Sequence, residues 1–252
     1  MNTVTSLNEW RFIRANFGRE LVGFVPTMGY LHEGHLSLIQ RAKTENEIVV
    51  VSIFVNPTQF NQNSDFEKYP RAIERDQQLL SDLGVDYLLL PEAGEMYPDQ
   101  YSLQVSELEL SATLEGEYRP GHFNGMLTVV LKLLNLVQSH KAYFGEKDYQ
   151  QYLLIKKMAA AFFMNTEIVA CPTLRAADGL ALSSRNVRLT EEQRKQAALF
   201  PKILQESATA EFAHQALVAA GFAVDYVADQ WNRRLSAVWL DEVRLIDNVK
   251  IA

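Results

Sequence analysis

"EIVVVSIFV", residues 47–55, decides the fold. Between Glu47 and Val55 only Ser52 interrupts the apolar run. A sheet with one wet face alternates apolar and polar residues, whereas a strand covered on both faces stays apolar throughout, and such strands belong to parallel sheets. Asn56-Pro57 stops the run abruptly. Upstream, "ELVGFVPTM" (20–28) reads as a second buried strand leading into a Pro/Gly-punctuated loop, and "HLSLIQRAKTE" (35–45) as a helix with Leu36, Ile39 and Ala42 on one side. Downstream, "RAIERDQQLLSDLG" (71–84) reads as an amphipathic helix with Gly84 placed to cap its C-terminus, and "VDYLLLP" (85–91) as a third buried strand.

The alternation continues. A long apolar helix (124–140) precedes a short strand "KAYFGE" (141–146), then a helix (148–162) and the strand "NTEIVACP" (165–172). Strands alternating with helices build βαβ units, and right-handed crossovers make the sheet doubly wound. The expected fold is therefore α/β, a Rossmann-like doubly wound parallel sheet over residues 1–172. After Pro172 the texture changes. A loop-rich connection leads to two helical stretches and short strands in "VDYVAD", "AVWLD" and "VRLIDNV", which predict a smaller α+β domain over 173–252.

Ligands of such sheets bind beyond the carboxyl ends of the strands. The loops 26–34, 56–63 and 145–148 follow strands, so they should converge on one crevice. The first holds His32 and His35 in H-E-G-H, with Gly34 clearing room for a ligand beside the start of a helix. Helix N-termini offer unpaired N–H groups and partial positive charge, which suits phosphate. A metal site and plain packing stay open, although the zinc-protease spacing H-E-x-x-H is not met. In "FVNPTQF", Asn56, Thr58 and Gln59 are neutral donor–acceptors suited to a small polar substrate, or simply an Asn-Pro turn. "GEKDYQQ" places Lys147 at a strand–helix junction, with Asp148 as a candidate N-cap and Gln151 one turn on; the P-loop pattern is absent. Ser183, Ser184 and Arg185 in "LSSRN" form a loop that could cradle pyrophosphate, and Arg119 and His122 precede the long apolar helix. Each stretch alone also reads as a solvated loop; together they put basic residues around one crevice.

Bulk properties narrow the classes. The 252 residues are 48% apolar with a formal net charge of −7, enough for a sizeable core and unsuited to nucleic-acid or anionic-membrane binding. Cys171 is the only cysteine, so no internal disulfide forms and a reducing compartment fits. The first residues carry no basic start or unbroken apolar core of a signal peptide, and no apolar run reaches the ~20 residues of a membrane span. The expectation is a soluble cytoplasmic protein.

"PTMGYLHEGHLSLI", "VVSIFVNPTQF", "YPR", "RPGHFNGM", "YFGEKDYQQ" and "DGLALSSRN" occur here in the order they have in the pantoate–β-alanine ligases, and nearly the whole chain resembles that family. The H-x-G-H stretch alone is shared with a wider nucleotidyltransferase superfamily. The resemblance implies that ATP, with Mg²⁺, and (R)-pantoate form pantoyl adenylate and pyrophosphate, and that the amine of β-alanine then releases AMP and pantothenate. By the same resemblance Met28, Gly29, Tyr30, Leu31, His32, Glu33, Gly34 and His35 would form the nucleotide site. Gly145, Glu146, Lys147 and Asp148 would complete it, with Leu182, Ser183, Ser184 and Arg185 as a second phosphate loop. His32, His35, Lys147 and Arg185 would carry the catalytic charge stabilisation, His35 standing where a proton donor is commonly described. Gln59 and Gln151 would hold pantoate, with Asn56, Arg119 and His122 nearby, and Asp76 would lie near the metal. Leu174 stands at a nucleotide-contacting position that is often valine, and the segment after Arg194 looks short for the family. A homodimer is the family expectation. Two other readings share some motifs: a transferase that leaves the nucleotide on its product, and a non-catalytic nucleotide-binding module.

Overall fold

The computed structural model describes residues 1–61 and 63–251, without the side chains of 63 and 64; Gln62, inside the loop expected over 56–63, lies outside it. Strands β1 (Asn2–Val4), β2 (Val22–Thr27), β3 (Ile48–Ile53), β4 (Tyr87–Leu89), β5 (Lys141–Gly145) and β6 (Glu167–Cys171) form one parallel sheet in the order β1-β4-β3-β2-β5-β6. The chain winds one way from β2 through β3 to β4 and the other way from β5 to β6. The direction therefore reverses between β2 and β5, the place where a doubly wound sheet opens a crevice.

The long helices of this part are α1 (Leu7–Ala15), α2 (Glu33–Glu45), then, after the short α3 (Asn63–Glu67), α4 (Ile73–Asp82). Two single turns, α5 (Ala93–Met96) and α6 (Glu115–Tyr118), precede α7 (His122–Val137) and α8 (Tyr149–Ala161). They sort onto two faces, and the period-2 alternation of the strands sends side chains to both. Phe24 and Val50 join Trp10, Met126, Leu134 and Ile155 on one side. Val25, Val49 and Val51 join Leu36, Ile39 and Leu80 on the other. A core on each face is why the run at 47–55 has no polar side to show.

β1 and α1 were not expected from the sequence. β1 buries only Val4 among three residues, too short a run to stand out. Beyond β6 the chain forms α9 (Glu191–Ala197), α10 (Leu199–Glu206) and α11 (Ala210–Ala219), one helix more than expected. These pack on an antiparallel sheet β7-β8-β9 (Ala223–Gln230, Arg233–Leu240, Val243–Lys250). Phe200, Leu204, Leu217, Val238 and Leu245 centre a third core there.

Candidate active site

The loop after β2 is held from three directions. The Thr27 hydroxyl donates to the Ser52 carbonyl at 2.8 Å and accepts the Gly29 N–H at 3.2 Å. Gly29 and Tyr30 both take left-handed backbone, at φ +81° and +51°, which only glycine adopts without strain. The Tyr30 turn is secured by Asp76 from α4, whose two oxygens accept the Tyr30 and Leu31 N–H groups at 2.6 and 2.8 Å. Asp76 is 1% exposed. As it stands, this carboxylate anchors a loop and presents no open oxygen to an ion, which differs from the position near a metal expected for it. Among the described residues no group of three or more His, Cys, Asp or Glu could hold a metal.

The turn delivers His32 to the N-cap of α2. Its Nδ1 accepts the Gly34 N–H at 3.1 Å, and His35 Nδ1 accepts the His32 N–H at 3.4 Å, a reciprocal capping pair built from two imidazoles. Their rings lie 4.1 Å apart. Burial, then Lys147, lowers the His32 pKa to about 4, and burial, then His32 and Lys147, lowers that of His35 to about 3. Both rings are thus neutral near pH 7. A neutral imidazole has one N–H, and with Nδ1 accepting it must be on Nε2. Gly34 serves this pair: a Cβ there would lie 2.8 Å from His32 Cε1. The room it makes is taken first by the imidazole, and Gly34 also lines the adjoining cavity.

The convergence of loops expected at the sheet's carboxyl edge is present. Met28, His32, Gly34, His35, Gln59, Gly145, Lys147, Asp148, Gln151, Leu174, Leu182, Ser183, Ser184 and Arg185 line one cavity of about 230 Å³. Gly29, Tyr30, Leu31, Glu33 and Glu146 are not among the residues that line it; Leu31 is fully buried and Glu33 is exposed. Gln59 is 8% exposed, with Nε2 2.9 Å from Met28 Sδ and Oε1 accepting from Asn56 at 3.2 Å. Asn56 does not reach the cavity. It is buried, bonded to the Gly125 carbonyl and Tyr97, and so sets Gln59. His122 is likewise behind Gln59, its Nδ1 2.8 Å from the Gln59 carbonyl, and Arg119 faces a neighbouring cavity.

Lys147, 18% exposed, has Nζ 3.6 Å from Asp148. Asp148 occupies the N-cap of α8 but makes no side-chain capping bond, contrary to the expectation, and stays free to face the cavity. From β9, Asn248 Nδ2 donates to the Glu146 and Lys147 carbonyls at 2.8 and 2.9 Å, and Arg233 pairs with Glu146 at 2.9 Å. On the third loop, the Ser184 hydroxyl donates to the Tyr30 carbonyl at 3.2 Å, joining it to the first. Arg185 pairs with Asp65 at 2.9 Å above the Tyr69 ring, and Arg188 takes the other Asp65 oxygen at 2.9 Å. Asp65 was not marked from the sequence, and Tyr69 only as part of the "YPR" stretch, because nothing in a single loop signals a partner more than a hundred residues away. A second cavity, of about 490 Å³, shares Lys147, Asp148, Ser183 and Arg185 with the first.

The family sequence profile described as Pantoate-beta-alanine ligase matches residues 1–250. The chain belongs to the pantoate–β-alanine ligase family. The pantothenate synthetase of Bdellovibrio bacteriovorus is 55% identical, over 91% of this chain and 92% of that one. That of Legionella pneumophila is 48% identical over 98% and 99%. A crystal structure of the Francisella tularensis pantoate–β-alanine ligase, complexed with beta-gamma ATP and beta-alanine, superposes at a TM-score of 0.95 with 44% identity, covering 99% and 97%. The Thermus thermophilus pantothenate synthetase follows at 0.91 with 45% identity, each chain 99% covered. The chain covers 92–99% of the length of each of these relatives. The expected shortening after Arg194 is not a shortening relative to them.

Proposed function

We propose that this enzyme condenses (R)-pantoate with β-alanine at the expense of ATP through a pantoyl adenylate, releasing pyrophosphate and then AMP. One observation carries the reading. Two histidines fixed as neutral Nε2–H donors face the same cavity as Lys147, Arg185 and the paired amides Gln59 and Gln151. A carboxylate does not accept an amine nucleophile until its oxygen is made into a leaving group. In the first step a pantoate carboxylate oxygen attacks the α-phosphorus and the bond to the β-phosphate oxygen breaks. Charge builds on the phosphate oxygens, where preorganised donors in a dry site act most strongly. His32 and His35 donate there, Lys147 adds a point charge, and Arg185 exchanges Asp65 for phosphate. With a pKa of about 3 His35 is not an imidazolium near neutrality, and the Nε2–H of a neutral ring is too weak an acid to transfer, so its role is hydrogen-bond stabilisation, not proton donation. Gln59 and Gln151 hold pantoate so that its carboxylate faces the phosphorus. In the second step the amine nitrogen attacks the acyl carbon, and the bond to AMP breaks. Mg²⁺ enters as part of the nucleotide substrate, on its phosphates.

Residues 1–172 form the nucleotide and pantoate domain in this reading and 173–252 the smaller lid. The enzyme works in the cytoplasm as a homodimer. Light scattering at micromolar concentration should return twice the chain mass, and a monomer would contradict that assembly.

The deciding experiment is AMP release from Mg-ATP and (R)-pantoate, with and without β-alanine. Sustained release requiring both substrates supports the reading. Exchange of pyrophosphate into ATP with pantoate alone isolates the first step. Absence of both, in folded protein, refutes the proposal.

A further inference from the structure

Glu115, on the single turn α6, is buried between the two sheets. Two strands of the C-terminal sheet reach it directly. Arg244 of β9 donates to both its oxygens at 2.7 and 2.8 Å, and the Tyr226 hydroxyl of β7 donates at 3.0 Å. Arg244 is itself held by Asp225 at 2.8 Å, which also accepts from Trp239 of β8 at 2.9 Å. Burial alone would raise the Glu115 pKa; Arg244, helped by Arg119 and His122, outweighs burial and holds it near 2. The carboxylate is a fixed charge at neutral pH.

On its other side Glu115 faces Arg119 at 3.4 Å. Arg119 Nη1 lies 3.1 Å from His122 Nε2, and His122 Nδ1 lies 2.8 Å from the Gln59 carbonyl. Arg119 can only donate, so Nε2 accepts and the imidazole proton sits on Nδ1, pointing at Gln59. This tautomer is the reverse of the one at His32 and His35. The bonds run without a gap from β7 and β9 to the backbone of the glutamine that lines the cavity.

We propose that Glu115 and His122 are positioning residues that register the C-terminal sheet onto Gln59, so that pantoate meets a correctly placed amide only when Arg244 and Tyr226 are seated on Glu115. The inference rests on the reading of Gln59 as a pantoate-binding residue. Its logic is that of an unmade pair. Without Arg244, Glu115 keeps the Tyr226 hydroxyl but has only the longer Arg119 contact as a charged partner, and a buried carboxylate short of counter-charge pulls the nearest cation toward itself. Arg119 then leaves His122, and the imidazole loses the contact that fixes its tautomer and angle. Lys147 and Arg185, read as phosphate-binding, share a cavity with Glu115, Arg119 and Arg244, but their own hydrogen bonds run to Asn248 and Asp65 and not along this path.

The test is steady-state kinetics with each substrate varied, melting temperature recorded beside it, for Arg244→Gln, Tyr226→Phe, His122→Asn, Gln59→Ala and the Arg244→Gln/Gln59→Ala double variant. Arg244→Gln should raise KM for pantoate on the order of tenfold, as expected for a sub-ångström misplacement, and leave KM for ATP near wild type. Tyr226→Phe should move it the same way by less, and serves alone if Arg244→Gln does not fold. The double variant should be no worse than Gln59→Ala, since no amide remains to be placed. His122→Asn is too short to bridge Arg119 and the Gln59 carbonyl together, so it should raise KM for pantoate as Arg244→Gln does and leave KM for ATP near wild type. Additive losses in the double variant, or a fall in melting temperature with pantoate KM unmoved, would overturn the relay alone. An unchanged pantoate KM in Gln59→Ala would overturn both the relay and the reading beneath it.

Discussion

Gly125 is the point where helix α7 touches the turn that carries Gln59, and replacing it with alanine is the sharpest test of the site's construction. A Cβ at Gly125 would lie 2.2 Å from the Thr58 carbonyl oxygen, 2.4 Å from its carbon and 2.8 Å from the Gln59 nitrogen. Ordinary contact begins near 3.4 Å, so about 1.2 Å must be found. All three atoms are backbone, and no side chain can rotate away. Alanine helps a helix interior by up to ~1 kcal/mol, but overpacking of this kind costs ~1–3 kcal/mol, and here the clash dominates. For a chain of this size each kcal/mol moves the midpoint by ~2–4 °C, so the melting temperature should fall by several degrees. The effect on activity should be larger. A displacement of about 1 Å at a substrate-positioning group costs ~10²-fold, and it should fall on kcat/KM for pantoate. Gly94→Ala is the control: nothing lies within 4 Å of its Cβ, and a change within about 0.5 kcal/mol is expected. The assay is AMP formation against pantoate concentration, with thermal unfolding of the same samples. Wild-type pantoate kinetics in Gly125→Ala would refute the claim that α7 sets the glutamine.

His35→Ala and Lys147→Ala should each slow pantoate-dependent pyrophosphate–ATP exchange by ~10²–10³-fold with the fold intact; unchanged single-turnover rates would remove them from the mechanism. Acid should weaken the protein through its buried imidazoles. His32, His35 and His122 have folded pKa values of about 4, 3 and 3 against 6.5 when free. The unfolded chain therefore takes up protons that the folded one refuses, so their stabilisation is full above pH 6.5 and fades as pH falls toward the folded values. Thermal unfolding across this window should show it, and His35→Gln should flatten the slope; an equal slope in the variant would count against a buried neutral His35. Asp76→Asn replaces an oxygen that accepts the Tyr30 or Leu31 N–H with an amine that cannot. Bonds to a charged acceptor are worth ~1.5–3 kcal/mol each, so a melting temperature unchanged from wild type would show that the loop is held elsewhere.

The parallel sheet was legible because its strands must be apolar on both sides, which no surface segment imitates. What stayed hidden had charged or short sequences. Residues 233 and 234 are two arginines, which read as loop, yet they open β8; Arg234 is almost wholly buried against Asp229 at 2.8 Å. The strands of the second sheet therefore run to eight residues each where shorter ones were expected. At the site, residues that face the cavity were legible from chemistry: two imidazoles, a lysine, an arginine and two amides. Those that hold them were not. Asp76, Asp65 and Glu115 act on partners 45 to 129 positions away, and local spacing carries no trace of such pairings. Asn56 was noticed for the right loop and given the wrong neighbour, because a sequence shows that an amide is needed without showing which group it accommodates.

The clasp from Asn248 and Arg233 onto residues 146 and 147 has a practical consequence for protein engineering. The backbone that carries Lys147 is bonded to β9. Grafting the C-terminal sheet of one homologue onto the nucleotide domain of another would transplant half of a joint. A chimera that also carries the matching 145–148 segment should stay active, whereas one cut at the apparent boundary near residue 172 inherits a lysine whose support was shaped for a different clasp.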